Sequence, residues 1–286
     1  MIIDFHTHSF PEKIAASAVE KLSSTAHIKA FSDGTARGIL KSMSEAGVDL
    51  SVMLPVAVKA SNVESMNTYS AQFNELYADK GIFSFGCMHP DYENWKYELG
   101  RVAQLGLKGI KIHPVYQGVN QNDIRYIRIL ERAGELGLVV VAHAGLDIGF
   151  PGAVNSTPKM ISEALKQAGP VKFVAAHMGG WKLWDEAEEL LPIPNVYLDT
   201  AFTLGGITPR ENDSYYAEND SLLMNSGQFC SLVRKFGADR VLFGSDSPWD
   251  SQKKAVERIK SSGLSESELE KIFCTAACGL LNINDK

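Results

Sequence analysis

Cysteine is scarce in this chain. Cys87, Cys230, Cys274 and Cys278 are the four in 286 residues, and only the last two stand close, four apart on an expected helix. Disulfide-built scaffolds use many more, so these thiols read as small buried residues. No stretch reaches the roughly 20 uninterrupted apolar residues of a membrane-spanning helix. The opening Met-Ile-Ile-Asp-Phe-His has no basic segment followed by an apolar run, so no secretory signal is read and a cytoplasmic protein is expected. Clustered cations are missing too: 28 Lys and Arg face 34 Asp and Glu, for a net charge of -6. Phosphate backbones are held by clustered Lys and Arg, so neither nucleic acid nor a membrane is an expected partner. A small-molecule substrate is. Internal repeats and low-complexity tracts are absent.

What the chain does have is alternation. Its composition, 45% hydrophobic and 22% charged, suits a large core, and its length suits one α/β barrel of about 250 residues. Short runs rich in Val, Ile and Phe fall near 2–8, 49–56, 82–88, 107–113, 138–143, 171–177, 195–200 and 240–246, each followed by a helix-length segment. Within 120–136, Ile124, Ile127, Leu130 and Ala133 are expected on one face, with Arg125, Arg128, Glu131 and Arg132 on the other. Gly47, Gly81, Gly106, Gly137 and Gly169 each stand just before the next strand, where helix C-caps belong. Eight parallel strands can stay open or close. An open dinucleotide-binding sheet wants a glycine-rich loop after its first strand, and Thr-His-Ser-Phe-Pro stands there instead. A single-domain (β/α)8 barrel spanning 1–286 is therefore expected.

Six of the seven histidines, His6, His8, His89, His113, His143 and His177, fall at expected strand ends, and Asp246 closes the last strand in Phe-Gly-Ser-Asp-Ser-Pro-Trp. Residues two apart in a strand share a face, so His6 and His8 should both point into the barrel mouth, with Asp4 one layer below. Paired neutral imidazoles are ready ligands for zinc or a similar divalent ion, and burying them without a partner is costly. His143 and His177 end strands in the same phase. Asp246 fits a metal ligand, a proton acceptor or a helix cap.

Taken together, His-x-His on the first strand, single histidines closing the fifth and sixth, and Gly-Ser-Asp-Ser-Pro on the eighth resemble the amidohydrolase superfamily, specifically its amidohydrolase-related branch. The likeness covers essentially the whole chain, including Lys-Gly-Ile-Lys-Ile-His-Pro on the fourth strand and the C-terminal Thr-Ala-Ala-Cys-Gly-Leu-Leu. That branch contains hydrolases of lactones and related carbonyl compounds, and decarboxylases resembling the aminocarboxymuconate semialdehyde and resorcylate enzymes. The resemblance implies His6, His8 and His143 as metal ligands, Asp246 as a metal ligand, a base or both, and His177 as a group that polarises the substrate carbonyl or relays protons. It implies a homo-oligomer as well. Two-metal members of the superfamily bridge their ions with a carbamylated lysine or a glutamate on the fourth strand. Lys111 occupies that strand without the rest of the pattern, so one ion is favoured, with Lys111 as a buried ion-pair or substrate group.

His113 and His89, each followed by proline, are candidate substrate or supporting contacts. Trp249, Phe10, Tyr116, Phe202, Tyr215 and Tyr216 fall on rim loops able to wall a pocket. His27 reads as surface, and the acidic run at 185–189 as a solvated helix face. The polar stretch 201–221 is too long for an ordinary connection and is expected to act as a substrate lid. Metal-dependent hydrolysis of a small amide, lactone or ester is the favoured activity, and non-oxidative decarboxylation of a small aromatic or enoate acid the alternative. Decarboxylation should need a cation for the substrate carboxylate, and Arg210 in the long loop is the visible candidate. A phosphoesterase of the polymerase-and-histidinol-phosphatase type would need strand-end glutamates, and none is evident. A catalytically inert binding module would leave the ligands and the base without a purpose.

Overall fold

Strand-forming residues alternate with helices along the chain, and every expected strand forms. β1 (Ile3–Thr7), β2 (Leu50–Met53), β3 (Ile82–Ser84), β4 (Gly86–Cys87), β5 (Gly109–Ile112), β6 (Val139–Ala142), β7 (Lys172–Ala175), β8 (Val196–Asp199) and β9 (Val241–Leu242) run parallel to their neighbours. The computed structural model of the chain describes residues 1–216 and 222–283. β3 and β4 are two halves of one expected strand. The first half pairs with β2 and the second with β5, and Phe85 between them donates its N–H to Met53 O at 2.9 Å. Closure comes from backbone bonds joining the last strand to the first: Phe5 N–H to Phe243 O at 2.7 Å, Asp246 N–H to His6 O at 2.8 Å and His8 N–H to Ser247 O at 2.7 Å. The result is a (β/α)8 barrel.

The helices are α1 (Glu12–Ala26), α2 (Ala36–Ala46), α3 (Val63–Tyr77), α4 (Trp95–Gln104), α5 (Pro114–Gln117), α6 (Ile124–Glu135), α7 (Pro158–Ala168), α8 (Trp184–Leu190), α9 (Ser226–Phe236), α10 (Gln252–Lys260), α11 (Glu266–Glu270) and α12 (Ala276–Leu281). Among the described residues, none is long and apolar enough to cross a membrane. The five glycines expected to end segments before strands all have positive φ, from 69° to 88°. On α6 the buried face is Tyr126, Ile127, Ile129, Leu130 and Ala133. Ile124, expected among them, is 53% exposed, because it occupies the first position after the Asp123 cap. All four cysteines are buried.

Two apolar layers hold the barrel. Inside, Ile3, Phe5, Val52, Phe85, Val141, Val174 and Leu242 pack together and against Ala277 and Leu281 of α12. Outside, residues such as Ile110, Val140, Phe173 and Leu198 pack against the helices. Filling the lower barrel leaves only the carboxyl-end mouth open for a site.

Three local expectations change. The pairing of β1 with β2 is irregular between Asp4 and Thr7, which breaks the simple two-residue alternation. Asp4 does not sit as a layer beneath the histidines; its carboxylate accepts from Gln252 Nε2 on α10 at 2.8 Å and from Ser245 N at 3.0 Å. His27 is half-buried rather than a surface residue, its ring stacked on Tyr215 at 4.0 Å and its Nδ1 2.8 Å from Asp213 Oδ2. Of the 201–221 stretch expected as a lid, 217–221 lie outside the described residues. The part before them is tied to the end of α1: Lys29 N donates to Thr208 O at 2.9 Å, and Tyr216 Oη donates to Ala26 O at 2.6 Å.

Candidate metal centre

Strand ends at the barrel mouth bring His6, His8, Lys111, His113, His143, His177 and Asp246 to one cavity of about 570 Å³. Asp246 and His177 both have left-handed φ, 67° and 58°. Such values are costly for residues with a Cβ and recur where a fold aims a side chain at a site.

Hydrogen-bond partners fix the protons on the rings. His8 Nδ1 donates to Leu54 O at 2.9 Å, and His177 Nδ1 donates to Ala201 O at 2.9 Å. A carbonyl oxygen only accepts, so a neutral ring in either place carries its lone pair on Nε2. Asp199 Oδ2, 2.8 Å from His6 Nδ1, orders His6 in the same way. The freed Nε2 atoms of His8 and His6 lie 3.1 Å and 3.5 Å from Asp246 Oδ1. Two lone pairs and a carboxylate oxygen thus face one another, with ligand atoms within 4.8 Å. Lys111 Nζ, a donor, lies within hydrogen-bond distance of the same His6 Nε2 at 3.3 Å.

Protonation of His6 would relieve this crowding of acceptors, but burial lowers its basicity well below that of a free imidazole, with Lys111 adding to the effect. A divalent cation relieves it by accepting all three donors at once, the coordination replacing the hydration it loses. Two imidazole nitrogens and one carboxylate oxygen form a donor set that such ions accept, and the Asp199–His6 bond is the outer support usual for a ligating histidine. The residues fit a metal ion. Burial raises the Asp246 carboxyl, but His6, His8 and His177 around it outweigh that and hold it below the usual carboxylate range. Lys111, 1% exposed, is drawn down to about 8 by burial, although Asp199 and Asp246 oppose the shift.

His143 stands one imidazole further along. Its Nε2 donates to Leu146 O at 3.0 Å, and its Nδ1 faces His177 Nε2 at 3.1 Å. Its ligand atoms group with His113 and Asp147 rather than with His6, His8 and Asp246. In that second group both His113 Nε2 and His143 Nε2 stand 3.6 Å from Asp147 Oδ2. Tyr116 N donates to His113 Nδ1 at 3.4 Å, so the His113 proton sits on Nε2, 3.6 Å from Asp147 Oδ2. In these tautomers both Nε2 atoms point protons, not lone pairs, towards Asp147, and the His143 lone pair on Nδ1 faces His177 instead. Burial pushes the Asp147 carboxyl up to about 6 and both imidazoles well down.

Other candidates scatter. Phe10, Tyr116, Phe202 and Trp249 line the cavity; Tyr215 and Tyr216 do not. His89 is buried away from the cavity wall, its Nδ1 accepting from Asp91 N at 3.1 Å. Arg210 turns from the cavity to α1, where Nη2 meets Glu20 at 2.8 Å. Asp199 and Asp147 were not singled out in the sequence. Asp199 ends an expected strand just as the histidines do, and Asp147 stands four residues past His143, so both left a signal.

A parallel (β/α)8 barrel with imidazoles and a carboxylate convergent at its carboxyl-end rim defines a metal-site barrel. The amidohydrolase family model matches residues 3–283, and the chain belongs to that family. Solved structures of similar fold include a Tim-barrel protein of unassigned function from Bordetella bronchiseptica, 17% identical over 98% of both chains with a TM-score of 0.74. A candidate 2-pyrone-4,6-dicarboxylic acid hydrolase from Pseudomonas putida is 19% identical over 100% of this chain and 98% of that one, with a TM-score of 0.68. A dihydroxybenzoic acid decarboxylase from Polaromonas, with bound manganese and 2-nitroresorcinol, is 14% identical over 100% and 98%, with a TM-score of 0.69. Among curated proteins, no match to the sequence is found.

Proposed function

We propose that this protein is a metal-dependent hydrolase of a neutral carbonyl compound, an ester, lactone or amide, using one divalent ion, zinc in the first instance. The observation that carries the metal is the meeting of the His6 and His8 lone pairs with Asp246 Oδ1. His6, His8 and Asp246 would hold the ion, with the His143 Nδ1 lone pair as the candidate fourth donor. When bound, such an ion lowers the pKa of a coordinated water towards ~7 and acts as a Lewis acid on a carbonyl. Asp246 takes the proton of the attacking water and passes it to the leaving group. His177, whose Nε2 lone pair faces the site, accepts and relays a proton rather than donating to the substrate carbonyl. Lys111 beside His6 keeps its role as a neighbouring cation, with no second ion to bridge.

Hydrolysis is preferred to decarboxylation because no arginine is among the described residues lining the cavity, and Arg210 is spent on Glu20. Lys111, almost wholly buried at the floor, is the cation that remains for a substrate carboxylate. The test is to load the purified protein with zinc or manganese, count ions per chain, and offer esters, lactones and N-acyl compounds beside dihydroxybenzoates while carbon dioxide is monitored. Carbon dioxide release without hydrolysis would overturn the reading.

A further inference from the structure

The cavity is two-zoned. Every histidine, aspartate and lysine in its lining belongs to one contiguous cluster at the strand ends. The lining also takes Ile14 and Leu22 from α1, and Val58, Met66 and Tyr69, with the polar Asn62 and Ser65, from the segment that leads from β2 into α3. Ile14 and Leu22 are eight residues apart and so fall on one helical face. Ile14, Val58 and Tyr69 are 50%, 51% and 38% exposed although large and apolar, and grouped exposure of this kind around a cleft marks a binding surface. Among the described residues, neither outer wall adds an Arg, Lys, Asp or Glu to the lining.

We infer that the substrate carries a long apolar acyl chain, its carbonyl over His6, His8 and Asp246 and its chain between α1 and α3. This rests on the hydrolase reading above and narrows it. Water oxygen bonds to the acyl carbon, the acyl C–O or C–N bond breaks, and the water proton leaves on the alcohol or amine, giving a fatty acid. A small aromatic acid would leave the apolar zone empty and find no cation in it.

Binding can be read apart from turnover. Straight-chain hydroxamates from aceto- to decanohydroxamate, whose head group chelates divalent ions, would be titrated into the zinc-loaded protein by calorimetry. Affinity should rise about fourfold per added methylene over the middle of the series, the transfer value for a buried CH₂. Ile14→Glu and Val58→Glu, at half-exposed positions, should flatten that rise while the bound zinc is retained. Affinity independent of chain length, or 2,6-dihydroxybenzoate binding more tightly than octanohydroxamate, would overturn the inference. A length-dependent affinity with no turnover of acyl esters, lactones or amides would overturn the hydrolase reading and leave the chain site standing. Turnover indifferent to chain length would do the reverse.

Discussion

His143 Nδ1 and His177 Nε2 stand 3.1 Å apart, each the unprotonated nitrogen of its ring, because the opposite nitrogens donate to Leu146 O and Ala201 O. Two lone pairs at hydrogen-bond distance repel each other unless a proton or a cation lies between them. The ring tautomers are directly measurable. Nitrogen-15 spectra at neutral pH should show His8 and His177 protonated at Nδ1 and His143 at Nε2; a His177 ring protonated at Nε2 alone would contradict the relay role.

Metal removal should cost stability. An ion bound to the folded chain at one hundred times its dissociation constant contributes about 2.7 kcal/mol, so chelation should lower the melting temperature and zinc or manganese should restore it. His6→Ala should abolish that response. Asp246→Asn should retain metal better than His6→Ala while losing about 10²–10⁴ in turnover, the usual worth of a positioned base. Unchanged activity in Asp246→Asn would reject the assigned base.

Asp199 never touches the proposed ion, yet it aligns His6 through the 2.8 Å bond and accepts from His177 N at 2.9 Å. Asp199→Asn should weaken zinc binding by about 10–100-fold, measured by competition with a chromophoric chelator. An unaltered affinity would show that His6 needs no such support.

Lys111→Met separates one ion from two. If Lys111 only neighbours His6, elemental analysis should still find one zinc per chain. A drop from two ions to one would identify the lysine as a bridge.

Two stability tests lie outside the metal group. Gly145, with φ 90°, has no room for a Cβ against the backbone of Trp181, itself in the cavity wall. Gly145→Ala should destabilise by about 3 kcal/mol or more in denaturant unfolding. Asp123 caps α6, and hydrogen bonds from the Arg125 side chain and backbone hold its pKa near 2, below its ordinary 3.8. A carboxyl depressed by folding stabilises the folded state above the unfolded pKa, so this contribution is present above pH 3.8 and fades as pH falls towards 2. The stability difference between wild type and Asp123→Ala should therefore narrow across that window.

Part of this was open in the sequence. The strand runs, the glycines that end their preceding segments and the strand-end positions of the histidines are local patterns; five of the six rings, His89 excepted, line the cavity. The split of the third strand at Phe85 left no pattern, because pairing with β2 on one side and β5 on the other is decided by the neighbours. Asp4 was placed by an alternation that the β1 irregularity interrupts, and Arg210 by a loop position that said nothing of Glu20 on α1.

The sequence by itself determined the barrel and the kinds of side chain at its mouth, since side-chain period and residue chemistry are properties of short segments. Only the tertiary structure decided which nitrogen of each imidazole faces inward. The groups that settle it, Leu54 O for His8 and Asp199 for His6, stand 46 and 193 residues away along the chain, and no local pattern carries a hydrogen bond across that distance.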